Sequence, residues 1–323
     1  MTIKDVSQKS GFSVATISRV LNNDDKVSDI TRAKVLETIA ELNYVPNLQG
    51  RNLRRAKTEL IYVLLPSIDN PFFAGIVLGI ESAAREVDYR IAIFETHGRQ
   101  KRFLDCVDAV KNKLVDGLIY VSPESTAMPS DTEIPIVICG ESSDNFKHLT
   151  VDIDNQKAAF DAVSYLISRG RKRIAYAGGA YTSGILRKTG YLEALKKAGL
   201  DANENLIIDN SYTYDDGILA AKKILASGDK FDALFAASDL IAIGFIRQLE
   251  SVGLKVPDDV AVVGFDNVEY AEMNNPPLST VLQPRFEMGK EAFMLLYNTL
   301  NGTEKRTSCR ILLEHKIIER KST

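Results

Sequence analysis

Residues 13–22 read SVATISRVLN. Ser13 is a good helix N-cap, and Val14, Ile17, Val20 and Leu21 recur at three- and four-residue spacing, the apolar stripe of a short helix. Asn22, Asn23 and Asp24 break the pattern. Upstream, Thr2 followed three residues later by Asp5 gives a capping-box-like start to a helix that carries Ile3 and Val6 to about Ser10, where Gly11 ends it. Downstream, Ser28 opens a third helix with Ile30, Ala33, Val35, Leu36, Ile39, Ala40 and Leu42 apolar. Two short helices joined at a glycine and braced by a third form a helix-turn-helix arrangement.

SVATISRVLN holds one cation, Arg19, in a chain of formal net charge −3. The charge is unevenly spread. Residues 1–60 carry ten Lys or Arg against seven acids, a balance of +3 that leaves −6 for the remainder. Residues 42–58 hold four cations, Arg51, Arg54, Arg55 and Lys57, and no acid. Such a run either faces phosphate or is a solvated linker, and charge alone does not choose.

A chain of 323 residues, 45% hydrophobic and 26% charged, has the length of two or three globular domains. Its apolar runs stop short of the roughly 20 residues a bilayer span needs. No basic segment followed by an apolar one stands at the N-terminus, so the expectation is a cytoplasmic protein with no membrane partner. Cys106, Cys139 and Cys309 are odd in number and far apart, which fits a reducing compartment. His97, His148 and His315 are as scattered, so neither a metal site nor a cofactor is expected.

From Glu59 the texture changes. Apolar, β-branched runs at 60–65 (LIYVLL), 90–94, 117–121, 134–140, 173–179, 233–238 and 260–265 alternate with helix-length amphipathic stretches. Nearly continuous apolar strands separated by helices indicate a parallel sheet covered on both faces. The number of βα units suits two doubly wound lobes, an α/β core, with ligands beyond the carboxyl ends of the strands.

The motifs TIKDVSQKSGFSVATISRVLN (2–22), YVPN with RNLR, NPFF (70–73), DN (154–155), RKTGY (187–191), SDLIAIG (238–244), GFDN (264–267) and PPLSTVLQP (276–284) together resemble the LacI/GalR family of bacterial transcription regulators. The resemblance implies a helix-turn-helix headpiece over 1–45, a hinge helix and linker over 46–58, and a two-lobed core over 59–323 similar to periplasmic sugar-binding proteins. Lobe 1 is expected at about 59–154 and 284–312, and lobe 2 at about 155–283 and 313–323. It further implies a homodimer that binds a double-stranded, pseudo-palindromic operator as a repressor and answers to a small sugar-like effector.

On this register the second helix enters the major groove. Val14 and Ala15 fall where the family reads bases and contact thymine methyls, unless they merely pack the helix; Arg19 has the fork for a guanine. Ser13, Thr16 and Asn22, with Thr2 at the first helix start, suit phosphate contacts. In YVPNLQGRNLRR, Asn47 caps the hinge helix, Leu53 wedges into a minor-groove step, and Arg51 and Arg54 face phosphate. Gly50 stands where the family often has alanine and costs that helix about 1 kcal/mol.

In the core, the resemblance implies that Phe73 and Tyr212 sandwich a sugar ring while Phe72 packs, that Arg187 forks onto ligand oxygens, and that Asp266 accepts from ring hydroxyls. Ser238, Asp239 and Gln283 are expected near the lobe crossing, Asp239 in a structural role, with Asp154, Ser183 and Ser122 as further effector contacts. The alternative for Arg187 and Asp266 is an ion pair between lobes, and for Tyr212 a core position. Linkage then makes effector and operator affinities mutually dependent, with a sign the sequence does not carry.

An enzyme is disfavoured. No GxxxxGK[ST] occurs, GGAYTSG at 178–184 lacks the GxGxxG spacing, and no serine or cysteine sits in a nucleophile elbow. Within regulation the rival is a catabolite-control protein whose co-effector is a phosphorylated carrier protein. That subclass carries an arginine where FEMGKEAFMLLYN (286–298) offers Met294. The dimer surface is expected on helices near 70–87 and 100–113, and the C-terminal IIERKST has no leucine heptad for a tetramer.

Overall fold

The three N-terminal helices form where their caps place them. The computed structural model describes residues 1–21, 24–45, 57–123, 134–140, 148–179, 181–305 and 308–323, and the chain divides into two units, Met1–Thr58 and Glu59–Thr323. In the first, α1 (Ile3–Ser10) starts with the Asp5 carboxylate accepting the Thr2 N–H at 2.7 Å and ends at Gly11 in the left-handed region, φ 77°. Ser13 Oγ accepts the Thr16 N–H at 3.1 Å to open α2 (Val14–Leu21), and Ser28 Oγ accepts that of Thr31 at 3.3 Å to open α3 (Asp29–Glu41). Val6, Ile17, Val20, Val35 and Tyr44 form the buried centre. Burial of each large apolar side chain here contributes about 1.5–3 kcal/mol.

The second unit holds two six-stranded sheets. The first has the order β11-β5-β4-β3-β1-β2, all parallel, from β1 (Leu60–Leu65), β2 (Arg90–Glu95), β3 (Gly117–Val121), β4 (Ile136–Cys139), β5 (Leu149–Ile153) and β11 (Cys309–Leu313). The second has the order β12-β10-β9-β8-β6-β7, from β6 (Ile174–Gly179), β7 (Ile207–Asn210), β8 (Ala233–Ala236), β9 (Ala261–Asp266), β10 (Ser279–Leu282) and β12 (Lys316–Ile318). The two doubly wound, parallel-dominated sheets are as expected, and at the edge of the second β12 runs antiparallel to β10. The chain passes between sheets after β5, after β10 and between β11 and β12.

Helices α4 (Pro71–Glu86), α5 (Gln100–Lys111) and α11 (Arg285–Leu300) accompany the first sheet. The second has α6 (Asn155–Ser168), α7 (Thr182–Lys197), α8 (Tyr214–Ser227), α9 (Asp239–Ser251) and the short α10 (Glu269–Met273). α4 and α11 meet backbone to backbone. A Cβ on Gly79 would lie 2.9 Å from the Phe286 carbonyl carbon, and one on Gly289 2.9 Å from that of Ile76, so only glycine allows this approach from either side. One apolar cluster, from Ile61 and Val63 through Phe293 to Tyr176 and Phe265, runs through both lobes.

Candidate functional site

In the first unit, α2 turns Ile17 and Val20 inward and leaves Ser13, Ala15 and Arg19 exposed, with Val14 and Thr16 half-buried. Ala15 and Arg19, four residues apart, therefore share an outward face that a groove could receive. Thr2 is exposed at the start of α1. Asn22, Asn47, Arg51, Leu53 and Arg54 lie outside the described residues, as does most of the expected hinge helix.

In the second unit, a cavity of about 380 Å³ lies between the lobes, at the carboxyl ends of the strands. The first lobe contributes the loop after β1 and the start of α4. Pro71 takes the first helical position, the Asn70 side chain accepts the Phe72 N–H at 2.9 Å, and Phe72 and Phe73 reach the cavity with rings edge-on, 5.4 Å apart. Phe72, expected to pack, does both: it is buried and still lines the space. Ser122 follows β3 at a positive φ of 45° and lines the same wall.

The second lobe contributes the start of α7 and the ends of three strands. Ser183 stands in the first turn of α7 and Arg187 one turn on. Arg187 is 6% exposed; its Nε donates to Asn155 Oδ1 at 2.9 Å, its Nη1 to the Ala237 carbonyl at 2.6 Å, and its guanidinium carbon lies 3.7 Å from the centre of the Phe265 ring. Asp266 ends β9, with Oδ1 3.9 Å from Arg187 Nη1 and accepting from Gln283 Nε2 at 2.7 Å. Both residues of this pair belong to the second lobe, which corrects the alternative of an ion pair between lobes. Burial raises the Asp266 carboxyl to about 6, with Arg187 and the Gln283 hydrogen bond pulling the other way. Asp239 lies behind it, fully buried. Burial first and the Asp266 charge second push its pKa well up, while it accepts from Thr280 Oγ1 at 2.5 Å and the Val268 N–H at 2.8 Å. Both contacts lie within the second lobe, and Asp239 does not line the cavity.

Tyr212 fills a slot that two glycines leave open. A Cβ on Gly179 would come within 2.6 Å of Tyr212 Cζ, and one on Gly184 within 2.8 Å of the Tyr212 hydroxyl. That hydroxyl shares a hydrogen bond with Ser183 Oγ at 3.1 Å, and Tyr181 lies nearly parallel to the ring, 6.5 Å away and 19° tilted.

Phe73, Ser122, Ser183, Arg187, Tyr212 and Asp266 thus converge on one space. Asp154, Ser238 and Gln283 stand outside its lining. Asp154 caps α6 by accepting the Lys157 N–H at 2.9 Å, Ser238 caps α9 through the Ile241 N–H at 3.3 Å, and Gln283 supports Asp266 from behind. Sequence reasoning missed Asp69, Tyr181, Tyr214 and Leu240 in the lining, and Asn155 as the holder of Arg187. Asn155 was within reach, since DN at 154–155 is one of the quoted motifs. Among the described residues no group of three or more His, Cys, Asp or Glu is placed to hold a metal ion, and no helix is long and apolar enough to cross a membrane. The arrangement offers aromatic faces, hydroxyls, one guanidinium and carboxylates, which suits reversible binding of a polyhydroxylated ring.

A family model described as "Periplasmic binding proteins and sugar binding domain of LacI family" matches residues 58–321, and one described as "Bacterial regulatory proteins, lacI family" matches residues 2–47. The chain is 35% identical over 331 residues to the HTH-type transcriptional repressor CytR of Escherichia coli (strain K12), covering 100% of this chain and 96% of the relative. It is 36% identical over 330 residues to Catabolite control protein A of Priestia megaterium, covering 100% and 99%. The solved structure of the Lac repressor dimer bound to operator and the anti-inducer ONPF matches with a TM-score of 0.88 at 25% identity, over 100% of this chain and 98% of that one.

Proposed function

The chain belongs to the LacI family of bacterial regulatory proteins, ligand-responsive DNA-binding regulators of transcription, and from that premise we propose that it represses as a cytoplasmic homodimer whose operator affinity is set by a sugar or sugar derivative. The observation that carries this reading is the cavity between the lobes, lined by Phe73 and Ser122 from one and by Ser183, Arg187, Tyr212 and Asp266 from the other. A ligand held by both walls favours one spacing of the lobes. If that spacing also alters how the two headpieces meet DNA, the two affinities are coupled reciprocally. In the headpiece, Arg19 with Val14 and Ala15 reads bases, Ser13, Thr16, Asn22 and Thr2 hold phosphate, and Asn47, Arg51, Leu53 and Arg54 act in the hinge. Asp154, Ser238 and Gln283 act through the elements they cap or support. The relatives are transcriptional regulators, and no catalytic role is assigned to this chain.

A thermal-shift screen of sugars, sugar phosphates and sugar acids tests the effector role, because a compound that binds only the folded core raises its melting temperature. A screen without a single shift would remove the effector reading and leave the headpiece reading standing. The 36% identity to Catabolite control protein A favours a second reading, in which a phosphorylated carrier protein is the co-effector. Against it, α11 carries Arg285 and Lys290 and no cation beyond Lys290. Phosphorylation-dependent capture of a carrier protein would decide for the second reading.

A further inference from the structure

The first residue of the core is held in a backbone conformation that its side chain disfavours. Glu59 has φ 53°, in the left-handed region that non-glycine residues seldom occupy. Three strand ends converge on it. The Asp116 carboxylate accepts the Glu59 N–H at 3.0 Å, the Glu59 carbonyl accepts the Arg90 N–H at 2.9 Å, and the Asp116 N–H donates to the Leu60 carbonyl at 2.9 Å. Asp116 immediately precedes β3 and Arg90 opens β2, so this clamp ties the entry of β1 to both neighbouring strands.

The clamp has a firm backing. The Tyr89 ring is buried edge-on against Phe293 and Tyr297 of α11, at 5.9 and 5.7 Å, and its buried hydroxyl lies beside Asp116 without a hydrogen bond of ordinary geometry. The same helix begins with Arg285, which donates to the Pro71 carbonyl in one lobe at 3.0 Å and to the Asn267 carbonyl in the other at 3.1 Å. The glycines at the crossing of α4 and α11 bring the backbones of that helix pair into direct contact. A single helix therefore touches both the lobe crossing and the residues that brace the chain's entry into the core.

We propose that Asp116 is a positioning residue: by fixing the left-handed turn at Glu59, it sets the direction in which the backbone leaves the core toward the DNA-binding headpiece. This rests on the dimeric repressor reading above. Without the carboxylate acceptor, Glu59 relaxes toward ordinary negative φ and the exit of the chain at Thr58 is no longer held in one direction. The second headpiece of a dimer then has a lower effective concentration at its half-site.

The test uses the full chain and a duplex selected by the wild type from a random pool, together with the same duplex with one half-site scrambled. Wild type should prefer the intact duplex by about 10²- to 10⁴-fold. Asp116→Ala should cut that preference by about tenfold or more while half-site affinity holds, and Asp116→Asn, which keeps an acceptor, should retain it. Asp116→Ser, too short to reach the Glu59 N–H, carries the same expectation should the alanine variant not fold. A wild-type preference in Asp116→Ala or Asp116→Ser overturns the proposal, as does equal weakening on both duplexes or an Asp116→Asn variant as impaired as alanine. A wild type without preference overturns the dimeric reading instead, and the proposal with it.

Discussion

Substituting Gly179 by alanine probes the wall that presents Tyr212. The added Cβ would sit 2.6 Å from Tyr212 Cζ and 2.9 Å from its hydroxyl, against the roughly 3.5–4.0 Å of an unstrained carbon contact, so the ring must retreat by about 1 Å. That displacement strains or breaks the 3.1 Å link to Ser183. Overpacking of this kind costs about 1–3 kcal/mol. The three nearest atoms are all on the Tyr212 ring, so the penalty should vanish when the ring is removed. In a double-mutant cycle followed by urea unfolding, Gly179→Ala should lower stability by about 2 kcal/mol in wild type and by close to zero in Tyr212→Ala. Gly184→Ala is the control. Its Cβ would meet the Gly179 backbone, with the carbonyl carbon 2.6 Å away, so Tyr212→Ala should not rescue it. A Gly179→Ala penalty that is the same in both backgrounds would refute this account of the wall.

Three further outcomes follow from charge. The folded-state pKa of Asp266, about 6, lies above its ordinary 3.8, so the folded protein binds this proton more tightly than the unfolded chain. Its contribution to stability should therefore fall by about 3 kcal/mol as pH rises from about 4 to about 6, and Asp266→Asn should flatten that slope in thermal melts. In the headpiece, Arg19→Ala should cost about 1–3 kcal/mol on the preferred sequence and relax preference at one base pair. Arg54→Ala should weaken binding to all sequences alike and reduce the salt slope by about one, as read by anisotropy at several salt concentrations.

The single cation of SVATISRVLN fits a division of labour in which α2 reads bases and the acid-free run from Leu42 to Thr58 supplies attraction to phosphate. The headpiece was legible because its signals are local: the caps at Thr2, Ser13 and Ser28 and the left-handed Gly11 each act within a few residues. The long apolar strands were legible for the same reason. The strands LTVDI, IIDN, STVL, CRILL and KII were not, since each is three to five residues long and several carry polar side chains that only sheet pairing explains. Within the cavity, Arg187 and Asp266 stand in sequence motifs, whereas Asp69 and Tyr181 become neighbours of one space only when the lobes meet. Asp154 and Ser238 attract notice as polar residues at strand ends, and the structure uses both as helix caps. Nothing local marks Asp116 as the partner of Glu59, 57 residues away.

The central claim is that occupancy of the cavity changes affinity for DNA. Anisotropy of a duplex selected from a random pool, measured with and without a panel compound that raises the melting temperature, tests it directly. The account predicts a shift in Kd of about five- to 150-fold that is lost in Arg187→Met, while that variant's affinity for DNA in the absence of compound is retained. A compound that stabilises the wild-type core yet leaves its Kd for DNA unchanged would contradict it.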